Sequence, residues 1–105
     1  MFARNITAKL KPNSAAELTR LIENEIVPLL RKQKGFRDEV TLVAQDRSEA
    51  VSTSFWDTKE DAEAYNRTGY PEVLKHLTNV VDGIPKVENC EVVNSTFHKI
   101  AAKGA

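Results

Sequence analysis

The stretch SFWDTKEDAEAYN places the chain's only tryptophan, Trp56, at the end of an apolar run and just before a predicted helix start. Tyr65, Tyr70 and His76 follow within the next twenty or so positions. Tyrosine hydroxyls donate hydrogen bonds, and histidine is the side chain that exchanges protons near neutral pH. Aromatic walls with a few polar groups are typical of small-molecule pockets. These residues therefore indicate either a pocket or the filling of a small core.

Each of these side chains also has a structural explanation. A single large aromatic residue at a strand end, such as Trp56, is a common packing anchor. Tyr65 follows Ala62 at helical spacing and can pack with its hydroxyl in solvent. His76 lies at the edge of an apolar helical stripe, where half-buried structural histidines are common. Tyr70 can simply fix a helix break, so the residue types alone leave both explanations open.

The sequence lacks the residues needed for metal binding and for phosphate binding. The two histidines are far apart and Cys90 is the only cysteine, so no set of soft ligands has the spacing of a zinc site. The four glycines are scattered, and no phosphate-binding loop is present. We therefore expect no metal.

Charge and composition also bound the function. Fifteen basic residues balance fifteen acidic ones, with no dense basic run beyond residues 31–34, so neither nucleic acid nor a membrane surface is an expected partner. Cys90 cannot form an internal disulfide, and the polar start of the chain lacks the apolar segment of a signal peptide. We expect a cytoplasmic protein.

Hydrophobic periodicity predicts four strands and two long helices. Ser14 and Glu17 have the spacing of a capping box at the first helix start, and Pro28 predicts a kink inside that helix. Asp57 or Thr58 begins the second helix, which breaks near Gly69. The strands are predicted at 2–11, 36–46, 49–57 and 86–98, and the helices at 14–34, from 58 to the break, and from 71 to about 81.

This β-α-β-β-α-β order is that of an α+β ferredoxin-like fold with an antiparallel four-stranded sheet. At 105 residues we expect one domain, 1–105, with its core at about 2–97 and a C-terminal tail at 99–105. Helices on one face leave the other bare. Because Val43 and Val93 are predicted to lie on that bare face, we expect a homodimer that packs sheet against sheet.

Three segments carry a family resemblance: Lys11-Pro12, the run from Ile26 to Phe36, and the run from Phe55 to Tyr65. With them the chain resembles, over residues 2–97, the antibiotic biosynthesis monooxygenase (ABM) domain family of dimeric α/β barrels. Fold does not fix function in such a family. The family that the chain resembles includes quinone-forming oxygenases, heme-degrading enzymes and members without an assigned role.

The quinone-forming branch implies a monooxygenase that needs no cofactor, in which a deprotonated phenol or anthrone itself reduces dioxygen. The protein would supply a dry pocket, orientation and hydrogen bonds. Under this resemblance we assign catalytic roles to His76, as the base, and to Tyr65. Trp56, Tyr70 and Phe36 are assigned to binding of the aromatic ligand.

The heme-degrading branch is matched only in part. Its strand asparagine corresponds to Ile6 here, its tryptophan to Tyr65, and its axial histidine to His76 only after a one-residue shift. The remaining alternative is a non-catalytic dimer, small-molecule-binding or stress-related, in which the same pocket holds a ligand without reaction.

Overall fold

The structure is a computed structural model, and it describes residues 1–98. The predicted tail at 99–105 lies outside the described residues. Four strands and four α-helices follow one another, with one π-helical segment between the first two helices. In chain order they are β1 (Phe2–Leu10), α1 (Ala15–Leu21), the π segment (Ile22–Ile26), α2 (Val27–Arg31), β2 (Phe36–Val43), β3 (Glu49–Trp56), α3 (Lys59–Thr68), α4 (Tyr70–Leu77) and β4 (Val81–Glu91).

The strands form one antiparallel sheet in the order β2-β3-β1-β4, which confirms the predicted ferredoxin-like α+β fold. The sheet does not close on itself, because β2 and β4 are its two edges. Helices cover one face. No helix within residues 1–98 is both long enough and apolar enough to cross a membrane.

The first helical stretch is continuous but changes its winding before Pro28. Proline has no N–H, so the carbonyl of Asn24 cannot receive its usual bond from residue 28. The chain widens by one residue here, and the Val27 N–H bonds to the Ile22 carbonyl, five positions back. The helix is therefore irregular before Pro28, in the form of a π turn, and the kink stays a prediction.

The two predicted helix starts differ in their capping. Thr58 is the N-cap of α3, and its Oγ1 accepts a bond from the Asp61 N–H at 3.1 Å. Ser14 is the N-cap of α1, but its side chain caps no amide. Glu17 instead pairs with Arg20, one helical turn further along the chain. The capping box predicted at residues 14 to 17 is therefore wrong, because ion pairing on the helix surface engages the glutamate.

The last strand begins earlier and ends earlier than predicted. Helix α4 ends at Leu77, and Val81 already pairs with Leu10 of β1. Gly83 has φ +80°, and the register with β1 shifts at this end of the strand. Because β4 is an edge strand, Pro85 can lie within it without breaking an interior ladder. The glycine and proline that predict a helix stop thus lie inside a strand.

One residue that was predicted to lie on the open face of the sheet lies on the other face. Val43 packs against the buried core on the helix-covered side, so its assignment to the bare face is wrong. The β2 residues that are exposed on the opposite face are Val40 and Leu42, the latter 63% exposed. Val93 is exposed as well, but it follows β4 and lies outside the sheet.

We expect Thr58→Ala to lower the free energy of unfolding by about 1 kcal/mol, because it leaves the Asp61 N–H without its capping oxygen. Ser14→Ala is the matched control and should change stability by less than about half of that, since the Ser14 hydroxyl caps no amide. Urea denaturation of both variants measures the difference. Equal losses would contradict the capping arrangement described here.

Candidate functional site

Trp56 is completely buried and fixed by three neighbours. Its indole N–H donates to the Ser54 hydroxyl at 2.9 Å. Its ring stacks on Tyr65 with centroids 4.8 Å apart, and Phe36 meets it edge-on at 5.6 Å. Trp56 is therefore a core anchor, and Phe36 supports it from the side.

A cleft lies between the sheet and the helices; its cavity volume is about 50 Å³, and the space continues into an open mouth. Its walls are mainly apolar and come from β1, β3, β4, α2, α4 and the first helix with its π segment: Ile6, Ala8, Leu10, Leu18, Ile22, Ile26, Leu30, Ala50, Val73, Leu77 and Val81. The polar lining residues are Glu39, Thr41, Ser52, Ser54 and Tyr65. Such a cleft suits a largely apolar ligand with a few polar groups.

The pairing register explains why these polar groups lie together. Ser54 of β3 is opposite Arg4 of β1 on one side and Glu39 of β2 on the other. Side chains directly across from each other point to the same face of a sheet. The three residues therefore form a row across the helix-covered face, which we call the polar row. Arg4 and Glu39, at its two ends, are about 10 Å apart because strands are spaced by about 5 Å.

Glu39 is the carboxylate of the cleft. Its Oε1 accepts a bond from the Thr41 hydroxyl and lies 3.5 Å from the Ser52 hydroxyl. Thr41 and Ser52 are themselves opposite each other in the sheet and 3.2 Å apart. The carboxylate is half-buried, so it is held in place while a ligand can still reach it. It has the chemistry of a general base.

Arg4 is buried at the other end of the polar row, with 1% of its surface exposed. Its Nη1 donates to Asn66 Oδ1 at 2.8 Å. The guanidinium carbon lies 5.2 Å from the ring centre of Tyr65 and 4.8 Å from that of Tyr70. Burial lowers the pKa of Arg4, and the nearby tyrosines oppose this change.

Both tyrosines are held in their protonated form. Burial raises the pKa of Tyr65 well above its usual range, although the charge of Arg4 acts in the other direction. The pKa of Tyr70 is raised for the same reason, with the same opposing contribution. Tyr65, which lines the cleft, is therefore a hydrogen-bond donor at neutral pH rather than a base.

The structure brings together only part of the predicted site. Tyr65 lines the cleft, whereas Trp56 and Phe36 pack beside it and Tyr70 covers Arg4. His76 is half-buried on α4 and is absent from the residues that line the cleft. Helix α4 presents its other side, with Val73 and Leu77, to that space.

Sequence reasoning missed Arg4, Glu39, Thr41, Ser52 and Ser54. For the hairpin residues the available signal was alternation, since Glu39 and Thr41 of β2 and Ser52 and Ser54 of β3 recur at every second position. A polar residue on the buried side of a strand is unusual enough to indicate a site.

The residues that line the cleft offer no suitable axial ligand for a heme iron. The lining within the described chain includes no histidine, cysteine or methionine. The one phenol there, Tyr65, is disfavoured as a phenolate because its pKa is raised by burial. Nor do residues 1–98 bring three His, Cys, Asp or Glu side chains together in a way that could hold a metal ion.

The chain has only two tyrosines, so their ionisation can be followed directly by tyrosinate absorbance. Because both folded pKa values are raised, little tyrosinate absorbance should appear near pH 10, where the urea-unfolded chain is half-ionised. Above about pH 10 the unfolded state then binds fewer protons than the folded state. The contribution of the buried tyrosines to the free energy of unfolding is therefore fully present below about pH 10 and falls above it. Tyr70→Phe leaves Tyr65 as the only titrating tyrosine. Ordinary titration in that folded variant would contradict the burial described.

Solved structures with this fold include complexes with different ligands. A monooxygenase of Streptomyces coelicolor, ActVA-Orf6, crystallised with nanaomycin D, is 19% identical with a TM-score of 0.71, and the match covers 90% of this chain and 88% of that one. A MhuD mutant with two manganese protoporphyrin IX molecules per active site is 15% identical with a TM-score of 0.72, over 91% and 98% of the two chains. A Nitrosomonas europaea protein of unknown function is 14% identical with a TM-score of 0.73, over 90% and 91%.

At these identities the structural matches establish the fold alone. No curated protein matches the sequence. The family model for antibiotic biosynthesis monooxygenases, however, matches residues 1–76, which include β1, the hairpin, α3 and most of α4. This segment carries all three members of the polar row and Tyr65. The chain therefore belongs to the antibiotic biosynthesis monooxygenase family.

Proposed function

We propose that this protein is a cofactor-independent monooxygenase that acts on an electron-rich aromatic molecule of the phenol or anthrone type. The observation that carries the proposal is a small set of polar groups, with Glu39 and Tyr65 among them, in the wall of an otherwise apolar cleft, in a chain of the monooxygenase family. A carboxylate and a protonated phenol there meet the two requirements of the reaction, removal of a proton and stabilisation of the resulting anion.

Glu39 is the proposed base. It takes a proton from the ring hydroxyl or from the activated CH₂ of the substrate, and Thr41 and Ser52 hold its carboxylate during the transfer. We place the base here rather than at His76 because Glu39 lines the cleft and the histidine does not. Glu39 is also free to accept the proton, since no lysine or arginine within residues 1–98 forms an ion pair with it.

Tyr65 is the proposed donor to the developing oxyanion. Its raised pKa keeps the proton on the hydroxyl, and stacking on Trp56 fixes its ring. The deprotonated substrate transfers electrons to dioxygen. An anthrone CH₂ then becomes a carbonyl, one oxygen atom enters the product, and the other leaves as water with the two hydrogens. The apolar walls exclude bulk water from these steps.

The test is oxygen uptake by the metal-stripped protein with a panel of anthrones, hydroquinones and catechols. Glu39→Gln should lower kcat by at least about 100-fold because it removes the base, and Tyr65→Phe should lower it by about 100-fold because it removes the donor. Glu88→Gln, on β4, is the matched control and should retain the wild-type rate.

Two outcomes would contradict this assignment. Loss of uptake in His76→Ala together with an unchanged rate in Glu39→Gln would move the base to α4. No uptake above the spontaneous rate across the panel would favour the alternative, a dimer that binds a small molecule without reaction.

We also propose that the chain is a homodimer that packs through its open sheet face. This face carries Val40 and Leu42, with Val51 and Phe55 half-buried beside them, and an apolar face of this kind is typical of association. A two-fold dimer would cover it with the same surface of a second copy.

Light scattering after size exclusion should give twice the 11.7 kDa chain mass. Leu42→Asp should shift the protein toward the monomer, because it buries a charge in the interface. Ile84→Asp is the control, since Ile84 is 95% exposed at the far end of β4 beside Leu74 and Leu77. A monomeric wild type, or a dimer that survives Leu42→Asp, would contradict this interface.

A further inference from the structure

The buried guanidinium of Arg4 lacks partners for most of its donors. Only Nη1 has a hydrogen bond, to the side-chain oxygen of Asn66. Nε and Nη2 are fully shielded and have no hydrogen-bond partner. No carboxylate within residues 1–98 pairs with Arg4, and the tyrosine rings on either side are neutral. The positive charge is therefore buried without a counter-charge.

The two unpaired atoms form one edge of the guanidinium. Nε–H and the nearer Nη2–H point in parallel, and this edge matches the two oxygens of a carboxylate in a bidentate arrangement. A phenolate offers a single oxygen and would leave one of the donors unmet. The arrangement thus favours a ligand with two acceptor oxygens on one carbon.

An unpaired buried charge is costly unless something recovers the cost. Cation–π contacts with Tyr65 and Tyr70 recover part of it, but Nε and Nη2 still have no hydrogen-bond acceptor. A purely structural role would be better served by an apolar side chain of similar length. The free edge instead indicates a site for an anion.

We infer that Arg4 is the recognition site for a carboxylate on the aromatic ligand of the cleft. This inference rests on the proposed function, because it names the substrate class of the same site: an aromatic acid. Arg4 lies on the same strand face as Ile6 and Ala8, which line the cleft, and directly opposite Ser54, which lines it too.

The polar row gives the ligand an orientation. With the carboxylate at Arg4, the aromatic part extends across Ser54 and Ile6 toward Glu39, about 10 Å away. The acidic end of the molecule is then held by the arginine and the reacting edge is next to the base.

Tyr65 joins this site to the cleft. Its ring packs against the guanidinium and also lines the cleft. Tyr65 is stacked on Trp56, the only tryptophan of the chain. Carboxylate binding should therefore change the Trp56 emission.

The experiment compares naphthalene-2-carboxylate with its neutral counterpart 2-naphthamide by titration calorimetry at pH 7. The wild type should bind the carboxylate at least about tenfold more tightly, as expected for a charge-assisted bidentate pair. Arg4→Met should bind both probes equally, and Arg4→Lys should keep a reduced preference. Arg37→Met, which removes an exposed arginine on β2, should keep the full preference.

Thermal denaturation shows whether the variants fold. Arg4→Met should melt at or above the wild-type temperature, because it removes an uncompensated buried charge. If Arg4→Met does not fold, Arg4→Lys takes its place, and it supports the inference when its preference is smaller than that of the wild type. Equal affinity of the wild type for both probes, no measurable binding of the carboxylate, or an undiminished preference in the Arg4 variants would overturn the inference.

The binding test and the oxygen-uptake test fail separately. Calorimetry needs neither oxygen nor turnover, so a carboxylate preference without oxygen uptake would support the arginine site in a binding protein. Uptake that depends on Glu39 without a carboxylate preference would retain the monooxygenase and overturn the arginine site.

Discussion

The register between β3 and its two neighbours is the constraint on which the cleft depends. It places Ser54 beside Arg4 and Glu39 at once, and the next row brings Ser52 beside Ile6 and Thr41. A slip of one residue would turn every side chain of β3 to the opposite face. The polar groups would then meet solvent, and Trp56 would leave the core. Position and chemistry of the site are thus fixed by one set of backbone hydrogen bonds.

Trp56 secures this register from the end of the strand. Its indole completes the hydrogen bonding of Ser54, while its ring faces Phe36 and Tyr65. Complete burial of an aromatic of this size contributes a large share of the stability of a small core. A one-residue slip is therefore strongly disfavoured, and the same packing orients the cleft-lining tyrosine. Core packing and site geometry share this one side chain.

The sequence predicted the fold well because its signals are local. Apolar periodicity and the N-cap Thr58 identify elements without knowledge of what they touch. The site required knowledge of strand pairing. Glu39 and Ser52 are far apart in the chain, and only the register places them side by side. His76 has the residue type expected of a base, but its direction is set by the exact turn of α4, which the apolar stripe defines only loosely.

Dependence on contacts between side chains also explains why some detailed predictions differ from the structure. Whether Glu17 caps an amide or pairs with Arg20 is a competition between two interactions of similar size, so spacing alone does not decide it. From sequence alone, a lone polar residue in a strand, such as Arg4, is predicted to face solvent. Its burial depends on Tyr65 and Tyr70, which arrive from α3 and α4.

The π turn bears on how the cleft can change in evolution. Ile22 and Ile26 bound this turn, and both lie in the cleft wall. Because a π turn holds one residue more than an α turn, adding or losing a single residue there can be absorbed within the helix. Such a length change rotates one wall relative to the sheet and leaves the strand pairing intact. The volume offered to a ligand can therefore change by one inserted or deleted residue at this turn, while the strand residues opposite that wall stay the same.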